Sequence, residues 1–424
     1  MKASELKTKT EQGALAVYSG IYADLDRQRE RFSNMIGGFI SLFGDKDAVL
    51  LSVPGRSEIS GNHTDHNRGC VLAGAIDRDV IAVAARTDDG VVRFFSEGYP
   101  MSEVEIDKAA DPANFERYTS TALIAGMIDG FKKKGYHVGG MNVYSVSDVL
   151  KGSGISSSAA YEVMIGNALN HLYNGGEVKN EEIAKLAQYA ENVYFGKPCG
   201  LMDQMACAVG GFVYIDFADK DEPEVVPIDF ALGERGYALC IINTGGNHAD
   251  LNDDYASVPG EMKSVARAMG KDVLRGIDEG ELIRNIPALR ESVGDRAVLR
   301  ALHFIRENER VKRARVALTE QRLDDFFRVV NESGASSFKY LQNVYTTANV
   351  SEQGLSLALA LADGYLGGEG ASRVHGGGFA GTVQVFVKKE RLAGLIELMD
   401  SVFGEGAACA FNVRPSGAIR LDIK

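Results

Sequence analysis

The chain reads as an α+β protein of two domains, and three observations carry that expectation. Its 424 residues exceed what one hydrophobic core usually organises. Strand-like apolar runs and helix-patterned segments are interspersed along it without an internal repeat. Gly210-Gly211, just ahead of a strand-like run at 212–217, permits a change of direction there. A single boundary near residue 216 divides the chain into 1–215 and 216–424.

Taken in order, residues 1–45 look mostly helical and polar, with Phe32, Met35, Ile36, Phe39 and Ile40 on a short apolar stripe. An apolar strand over 48–56 follows, broken by Pro54-Gly55. The loop after it gathers Glu58, Asn62, His63, Thr64, Asp65, His66, Asn67 and Arg68, and loops this polar between apolar strands often carry function. Runs 79–86 and 91–96 read as a hairpin turning at Asp88-Asp89-Gly90. A helix is expected over 122–134, then a strand over 141–146. Ile183, Leu186, Ala187, Ala190 and Tyr194 keep helical spacing through 181–195, and Gly196-Lys197-Pro198 stops that helix. Strands at 238–244 and 382–387, a helix-rich stretch at 258–350 and a glycine loop at 376–381 complete the second half.

Between the strand at 141–146 and a helix-patterned segment lies Gly152-Ser153-Gly154-Ile155-Ser156-Ser157-Ser158-Ala159-Ala160. Small residues let the backbone approach a ligand, hydroxyls supply oxygen ligands, and a helix N-terminus offers free N–H groups and positive dipole. Such a tract is equally a flexible turn with a capping serine. The helix behind it favours the phosphate site: Tyr161, Met164, Ile165, Ala168, Leu169 and Leu172 share one apolar face, so a buried helix would hold the loop rigidly. No G-x-x-x-x-G-K-[ST] loop and no protein-kinase motif set is present. Ser336-x-x-Lys339 spells a β-lactamase motif, but two fixed positions match by chance in many chains.

Composition narrows the partners. With 45% hydrophobic and 25% charged residues the chain is ordinary globular material, and a net charge of -12 argues against nucleic acid or anionic membrane as a broad partner. Cys70, Cys199, Cys207, Cys240 and Cys409 form no C-x-x-C pair, as expected of free thiols in a reducing cytosol. Without a signal-like apolar core near Met1, or a run of roughly 20 apolar residues, a cytoplasmic location is expected.

Pro54-Gly55-Arg56 followed by Gly61-Asn62-His63-Thr64-Asp65-His66-Asn67 is similar to the galactokinase signature P-G-R-V-N-L-I-G-E-H-T-D-Y-N. Residues 152–160 resemble the G-x-G-L-S-S-S-A phosphate loop of the GHMP small-molecule kinases, and 373–381 their third, glycine-rich motif. Gly196-Lys197-Pro198-Cys199-Gly200-Leu201-Met202-Asp203-Gln204 resembles the galactokinase G-x-x-C-G-x-M-D-Q. The resemblance implies a ribosomal-S5-like N-terminal domain, a ferredoxin-like C-terminal domain and a site in the cleft between them. It also implies ATP-dependent phosphorylation of a monosaccharide at its anomeric hydroxyl.

Roles follow from the resemblance residue by residue. Gly152, Ser153, Gly154, Ile155, Ser156, Ser157, Ser158 and Ala159 would hold the ATP phosphates, and Ser158 with Glu191 would hold Mg²⁺, which needs few protein oxygens because it keeps waters. Asp203 would accept the proton of the sugar hydroxyl or orient it, beside Arg56, which would keep it ionised. Asn62, His63, Asp65, Gly200 and Tyr255 would line the sugar site. Taken alone, Glu191 is a solvated helix carboxylate, Asp203 a turn-former and His63 a histidine bonding its own loop. The partners implied are a monosaccharide and MgATP, and nothing in the chain specifies an oligomer.

Two positions depart from the signature: Asn62 stands where the family has glutamate and His66 where it has tyrosine. That glutamate contacts the hydroxyl at carbon 6 in the family, so the change falls on substrate reading. Galactose remains one expected substrate, and a sugar altered at carbon 6, such as galacturonate, is the other. A non-catalytic sensor of sugar and ATP is a third reading, opposed by the intact tract, Arg56, Glu191 and Asp203.

Overall fold

The computed structural model describes residues 1–149, 154–219, 221–246 and 251–423. They gather into two compact units, one comprising Met1–Arg56, Ala75–Gly211 and Arg414–Lys424, the other Ser57–Gly74 and Phe212–Val413. The chain passes between units at Gly211–Phe212, near the expected joint, but two excursions replace the single cut at 215. Strand pairing accounts for both, as the ladders below show.

In the first unit α1 (Ala3–Glu11) and α2 (Leu25–Phe43) cover β1 (Val49–Ser60) and β2 (Cys70–Thr87). Phe32, Met35, Ile36 and Phe39 of α2 are buried in one cluster with Leu50, Ile81 and Val83. Then come β3 (Val91–Ser96), β4 (Ser102–Glu105), α3 (Ser120–Lys133), β5 (Gly140–Ser147), α4 (Ser157–Tyr173), α5 (Asn180–Tyr189) and α6 (Met202–Val209). The Asp88-Asp89-Gly90 turn forms, but its strands do not pair as a hairpin. β5 lies between them, antiparallel to β2 and parallel to β3. Met141, Asn142 and Val143 in succession are buried, so β5 is covered on both faces, as a central strand must be.

β1 also differs from expectation, running unbroken through Pro54-Gly55. Its ladder with the last strand involves only Leu50, Leu51 and Ser52, so Pro54 withholds no donor from it. At Gly55 a Cβ would stand 2.7 Å from the Ile155 carbonyl oxygen, so glycine is what lets the two backbones meet.

In the second unit β6 (Phe212–Asp216) pairs with Cys70–Gly74 at the start of β2 and with β7 (Glu224–Ile228), which draws residues 57–74 into this unit. After β8 (Tyr237–Asn243) come α7 (Asn252–Ala268), α8 (Glu279–Ser292), α9 (Asp295–Thr319) and α10 (Leu323–Ser336), the last continuing into a π-helical turn at Ser337–Leu341. α11 (Gly354–Leu366), β9 (Ala371–His375), β10 (Thr382–Lys388), α12 (Lys389–Phe403) and β11 (Ala408–Phe411) follow. The sheet order β11-β8-β10-β9 is antiparallel throughout. Leu355, Ala358 and Ala362 of α11 and Leu395 and Met399 of α12 pack on Cys240, Ile242, Val374 and Val385, a ferredoxin-like layer of helices on a sheet. A second core joins Val258, Met262 and Val265 of α7 to Leu282, Leu289 and Phe304. The final strand, β12 (Ile419–Leu421), pairs with β1 and so belongs to the first unit.

Candidate active site

Three segments of the first unit converge on Asp203. β1 delivers Arg56, α6 presents Asp203 in its first turn, and the backbone ahead of α4 supplies Gly154 and Ser156. Arg56 grips the carboxylate with two parallel bonds, Nε to Oδ1 at 2.7 Å and Nη2 to Oδ2 at 2.8 Å. Its remaining Nη1 donates to the Gly154 carbonyl at 2.7 Å. Ser156 donates its hydroxyl to Asp203 Oδ2 at 2.6 Å. It does so from a left-handed backbone (φ 60°, ψ 59°), and its side chain does not cap α4. A non-glycine residue in that conformation is held by its surroundings. Asp203 is 34% exposed and Arg56 9%, so the carboxylate is open to solvent on one side.

Of the other tract residues, Ile155 and Ala159 are buried, Ser157 opens α4 and Ser158 is exposed in its first turn. Gly152 and Ser153 lie outside the described residues. The amides opening α4 lack intrahelical acceptors, and the helix dipole places partial positive charge at that end.

A buried acid cluster adjoins Asp203. α5 passes into a π-helical turn, Ala190–Phe195, where the sequence pattern predicts α-helix throughout. Glu191 is buried in that turn. Gln204, next to Asp203, donates Nε2 to Glu191 Oε2 at 2.7 Å and to Glu162 Oε2 at 3.1 Å. Lys197 Nζ stands 3.4 Å from the other Glu191 oxygen. Burial, and next the Glu191 charge, raise the Glu162 carboxyl well above the usual range. Burial also raises the Cys199 thiol, with the Glu191 charge adding to it.

Glu162 escapes sequence reasoning, and Gln204 enters it only as a motif position without a role, although one signal for Glu162 exists. Glu162 is the only acid in α4. Ser158 and Glu191 share no hydrogen bond among the described residues. Among the described residues Glu162 Oε1 and Gln204 Oε1 are buried acceptors without a partner beside the Glu191 carboxylate, oxygens of the kind a hard cation takes, although no three acids, histidines or cysteines there form a metal-ligand group.

The sugar-signature residues belong to the second unit. Asn62 is buried and its amide is fully engaged: Nδ2 donates to Glu58 Oε1 at 2.9 Å and the Gly376 carbonyl at 2.7 Å. Its Oδ1 accepts from Asn343 Nδ2 at 2.7 Å and the Ser337 hydroxyl at 3.3 Å. His63, left-handed at φ 58°, donates Nε2–H to the Gly377 carbonyl at 2.8 Å, a partner outside its own loop. Burial, reinforced by His66, lowers its pKa to about 4, so the ring is neutral. Asp65 is 28% exposed; burial opposes its charge, but the bonds and proximity of His66 hold its carboxyl below the usual range. Tyr255, from α7, donates its hydroxyl to the Gly378 carbonyl at 2.8 Å. Its ring lies so close to Gly377 that a Cβ there would be 2.2 Å from a ring carbon. Residues 62, 63 and 255 thus hold three successive carbonyls of the 376–378 loop. Gly200 is exposed just ahead of α6, in the first unit.

A phosphate-type loop ahead of a buried helix, an arginine-clamped carboxylate and a ferredoxin-like second unit define a GHMP-type small-molecule kinase. Family comparison agrees: residues 122–211 match the GHMP kinases N terminal domain, and residues 38–86 the galactokinase galactose-binding signature. A galactokinase of Streptomyces coelicolor is 32% identical over 392 residues, covering 90% of this chain and 97% of that protein. One from Clostridium tetani is 29% identical, covering 84% and 88%. The chain belongs to the galactokinase family. Among solved structures, Lactococcus lactis galactokinase in complex with galactose superimposes with a TM-score of 0.78 at 25% identity, covering 92% of this chain and 100% of that one. Methanococcus jannaschii mevalonate kinase shares the fold, with a TM-score of 0.60 at 15% identity, covering 88% and 99%.

Proposed function

We propose that this chain transfers the γ-phosphoryl group of ATP to the anomeric hydroxyl of galactose, giving galactose 1-phosphate and ADP. The observation that carries the reading is the Arg56–Asp203 pair tied to Gly154 and Ser156, because it joins the hydroxyl-activating carboxylate to the phosphate loop. Phosphoryl transfer asks the protein mainly for positioning and charge neutralisation. Asp203, held by three donors, orients the sugar hydroxyl and takes its proton as the new P–O bond forms. Arg56 keeps that carboxylate ionised and offsets charge on the transferring oxygens. Residues 152–159 and the N-terminal end of α4 cradle the phosphates.

Glu191 and Ser158 would hold Mg²⁺, which when bound neutralises phosphate charge. His63, Asp65 and Tyr255 read the sugar, and Gly200 leaves room for it. The engaged amide of Asn62 supports galactose over a sugar carrying a carboxylate at carbon 6, since that alternative needs a free amide. Five free thiols, together with the absence among the described residues of any helix long and apolar enough to cross a membrane, support a cytoplasmic setting.

Incubation of the purified chain with ATP, Mg²⁺ and galactose, followed by ³¹P NMR, tests the reading. A sugar 1-phosphate signal is expected, with turnover at least about a hundredfold lower in Asp203→Asn. Equal background ATP consumption in both proteins would favour a sensor instead. Turnover of galacturonate without galactose would shift the substrate to a carbon-6 variant.

A further inference from the structure

Helix α9 carries a buried polar stripe that the proposed chemistry does not use. His303 and Glu307 are fully buried and Arg310 nearly so, and they recur at helical spacing on one face. Their hydrogen bonds run in two arms to the backbone of Gly61 and Asn62. In the first, Arg310 Nη2 donates to Ser336 Oγ at 2.6 Å, Ser336 pairs with His303 Nδ1 at 2.9 Å, and His303 Nε2 meets the Asn62 carbonyl at 2.9 Å.

The proton positions follow by elimination. A carbonyl only accepts, so Nε2 carries the hydrogen. In a neutral ring Nδ1 then accepts, so the Ser336 hydroxyl must donate to it while receiving from Arg310. Burial, which lowers the His303 pKa to about 4, agrees with a neutral ring. In the second arm Arg310 Nε donates to Glu307 Oε2 at 2.6 Å, and Glu307 Oε1 accepts the Gly61 N–H at 3.0 Å and the Ser333 hydroxyl. The arms meet at Arg310 and close a ring through the backbone of residues 61 and 62.

The segment so held needs holding. Gly61 (φ 99°) and His63 (φ 58°) both have left-handed backbones, and for a histidine that conformation costs about 1 kcal/mol unless the surroundings impose it. Buried ionic networks are weak contributors to stability compared with apolar packing, but each donor in them accepts only one geometry. We propose that the Arg310, Ser336, His303 and Glu307 ring positions the backbone of Gly61 and Asn62, and thereby presents His63 and Asp65 to the sugar. His303 and Glu307 are then positioning residues, touching no substrate. The inference rests on the reading that residues 61–65 recognise the sugar.

Its test compares the full chain with His303→Ala, His303→Gln, Ser336→Ala, Asp65→Asn and a control on the exposed face of the same helix, Lys312→Ala. Steady-state KM for galactose and for ATP, kcat, galactose affinity by calorimetry and thermal midpoint are measured for each. His303→Ala should raise the galactose KM and Kd about tenfold with the ATP KM and kcat within about twofold. His303→Gln, which retains an N–H for the Asn62 carbonyl, should recover most of that loss. Ser336→Ala, which removes only a hydroxyl and serves if His303→Ala does not fold, should raise the galactose KM about threefold. Lys312→Ala should change nothing.

A galactose KM unaltered by both His303→Ala and Ser336→Ala would overturn the inference. So would a rise of both KM values together with a fall in kcat that tracks a fallen thermal midpoint, the pattern of a merely structural role. If Asp65→Asn raises the galactose KM and the ring variants do not, the inference alone fails. If Asp65→Asn also leaves it unchanged, the sugar-site reading fails and the inference with it.

Discussion

Replacing Arg56 with lysine keeps the charge and removes the geometry, so it isolates what the planar guanidinium supplies. Arg56 bonds Asp203 twice and the Gly154 carbonyl once, all between 2.7 and 2.8 Å. A lysine ammonium on a flexible stem can keep one of them. Hydrogen bonds to charged groups contribute about 1.5–3 kcal/mol each. Because Asp203 is 34% exposed, solvent screening places these at the lower end. Two lost bonds then amount to about 3 kcal/mol, or roughly a hundredfold if the loss falls on the transition state. The expected outcome for Arg56→Lys is a roughly hundredfold lower kcat in an assay coupled to ADP release at saturating galactose and ATP. The galactose KM should stay within about threefold, since His63, Asp65 and Tyr255 are untouched. Circular dichroism melts separate this from destabilisation. A kcat within about fivefold of the parent, or a loss matched by a collapse of the thermal midpoint, would refute the assignment of Arg56 to catalysis.

Glu191→Gln removes the carboxylate charge while keeping a group that can accept from Gln204, so the Mg²⁺ concentration for half-maximal rate should rise at least about tenfold with the fold intact; an unchanged Mg²⁺ titration would remove Glu191 from the metal. His63 and His303 are both lowered by burial to about 4 from an ordinary value near 6.5. The unfolded chain therefore binds protons that the folded chain refuses between those values, so stability is full above about pH 6.5 and declines toward pH 4, by at most about 3 kcal/mol per histidine. Thermal midpoints at pH 7.5, 6 and 5 should fall in that order, less steeply in His303→Gln, and a flat series would contradict the neutral rings. Gly377→Ala would set a methyl against the Tyr255 ring, 2.2 Å from its nearest carbon, so the ring must move off the Gly378 carbonyl. A galactose KM raised about tenfold is expected, and wild-type affinity would show that Tyr255 is not a sugar contact.

What the sequence made legible and what it hid divide along one physical line, the reach of the interaction. The strand–tract–helix order around 152–160 is local, and α4 forms over nearly the expected residues because its apolar face repeats with the helical period. Arg56 and Asp203 stand out through their motifs, and the structure joins them although 147 positions separate them. The turn at Asp88-Asp89-Gly90 was equally local and equally visible. Its strands' partner was not, because β5 enters from more than forty residues downstream and turn chemistry carries no information about it. Glu162 stays hidden because an amphipathic pattern counts apolar positions and treats a lone acid as solvent-facing; this one turns inward to share the Gln204 amide with Glu191.

Asn62 shows the limit most clearly. Compared with a family signature, it is a change of one functional group on the substrate-reading edge. In the folded chain its amide meets Asn343 and the Gly376 carbonyl, 281 and 314 positions away. An ionised glutamate at this position could accept from Asn343 as Asn62 does, but it could not donate to the Gly376 carbonyl, and it would face the Glu58 carboxylate that now receives an N–H. Asparagine, with two donors and one acceptor oxygen, meets all those partners at once. Residue 62 is therefore matched first to the protein around it, and under the proposed function the sugar would be read by its neighbours His63 and Asp65.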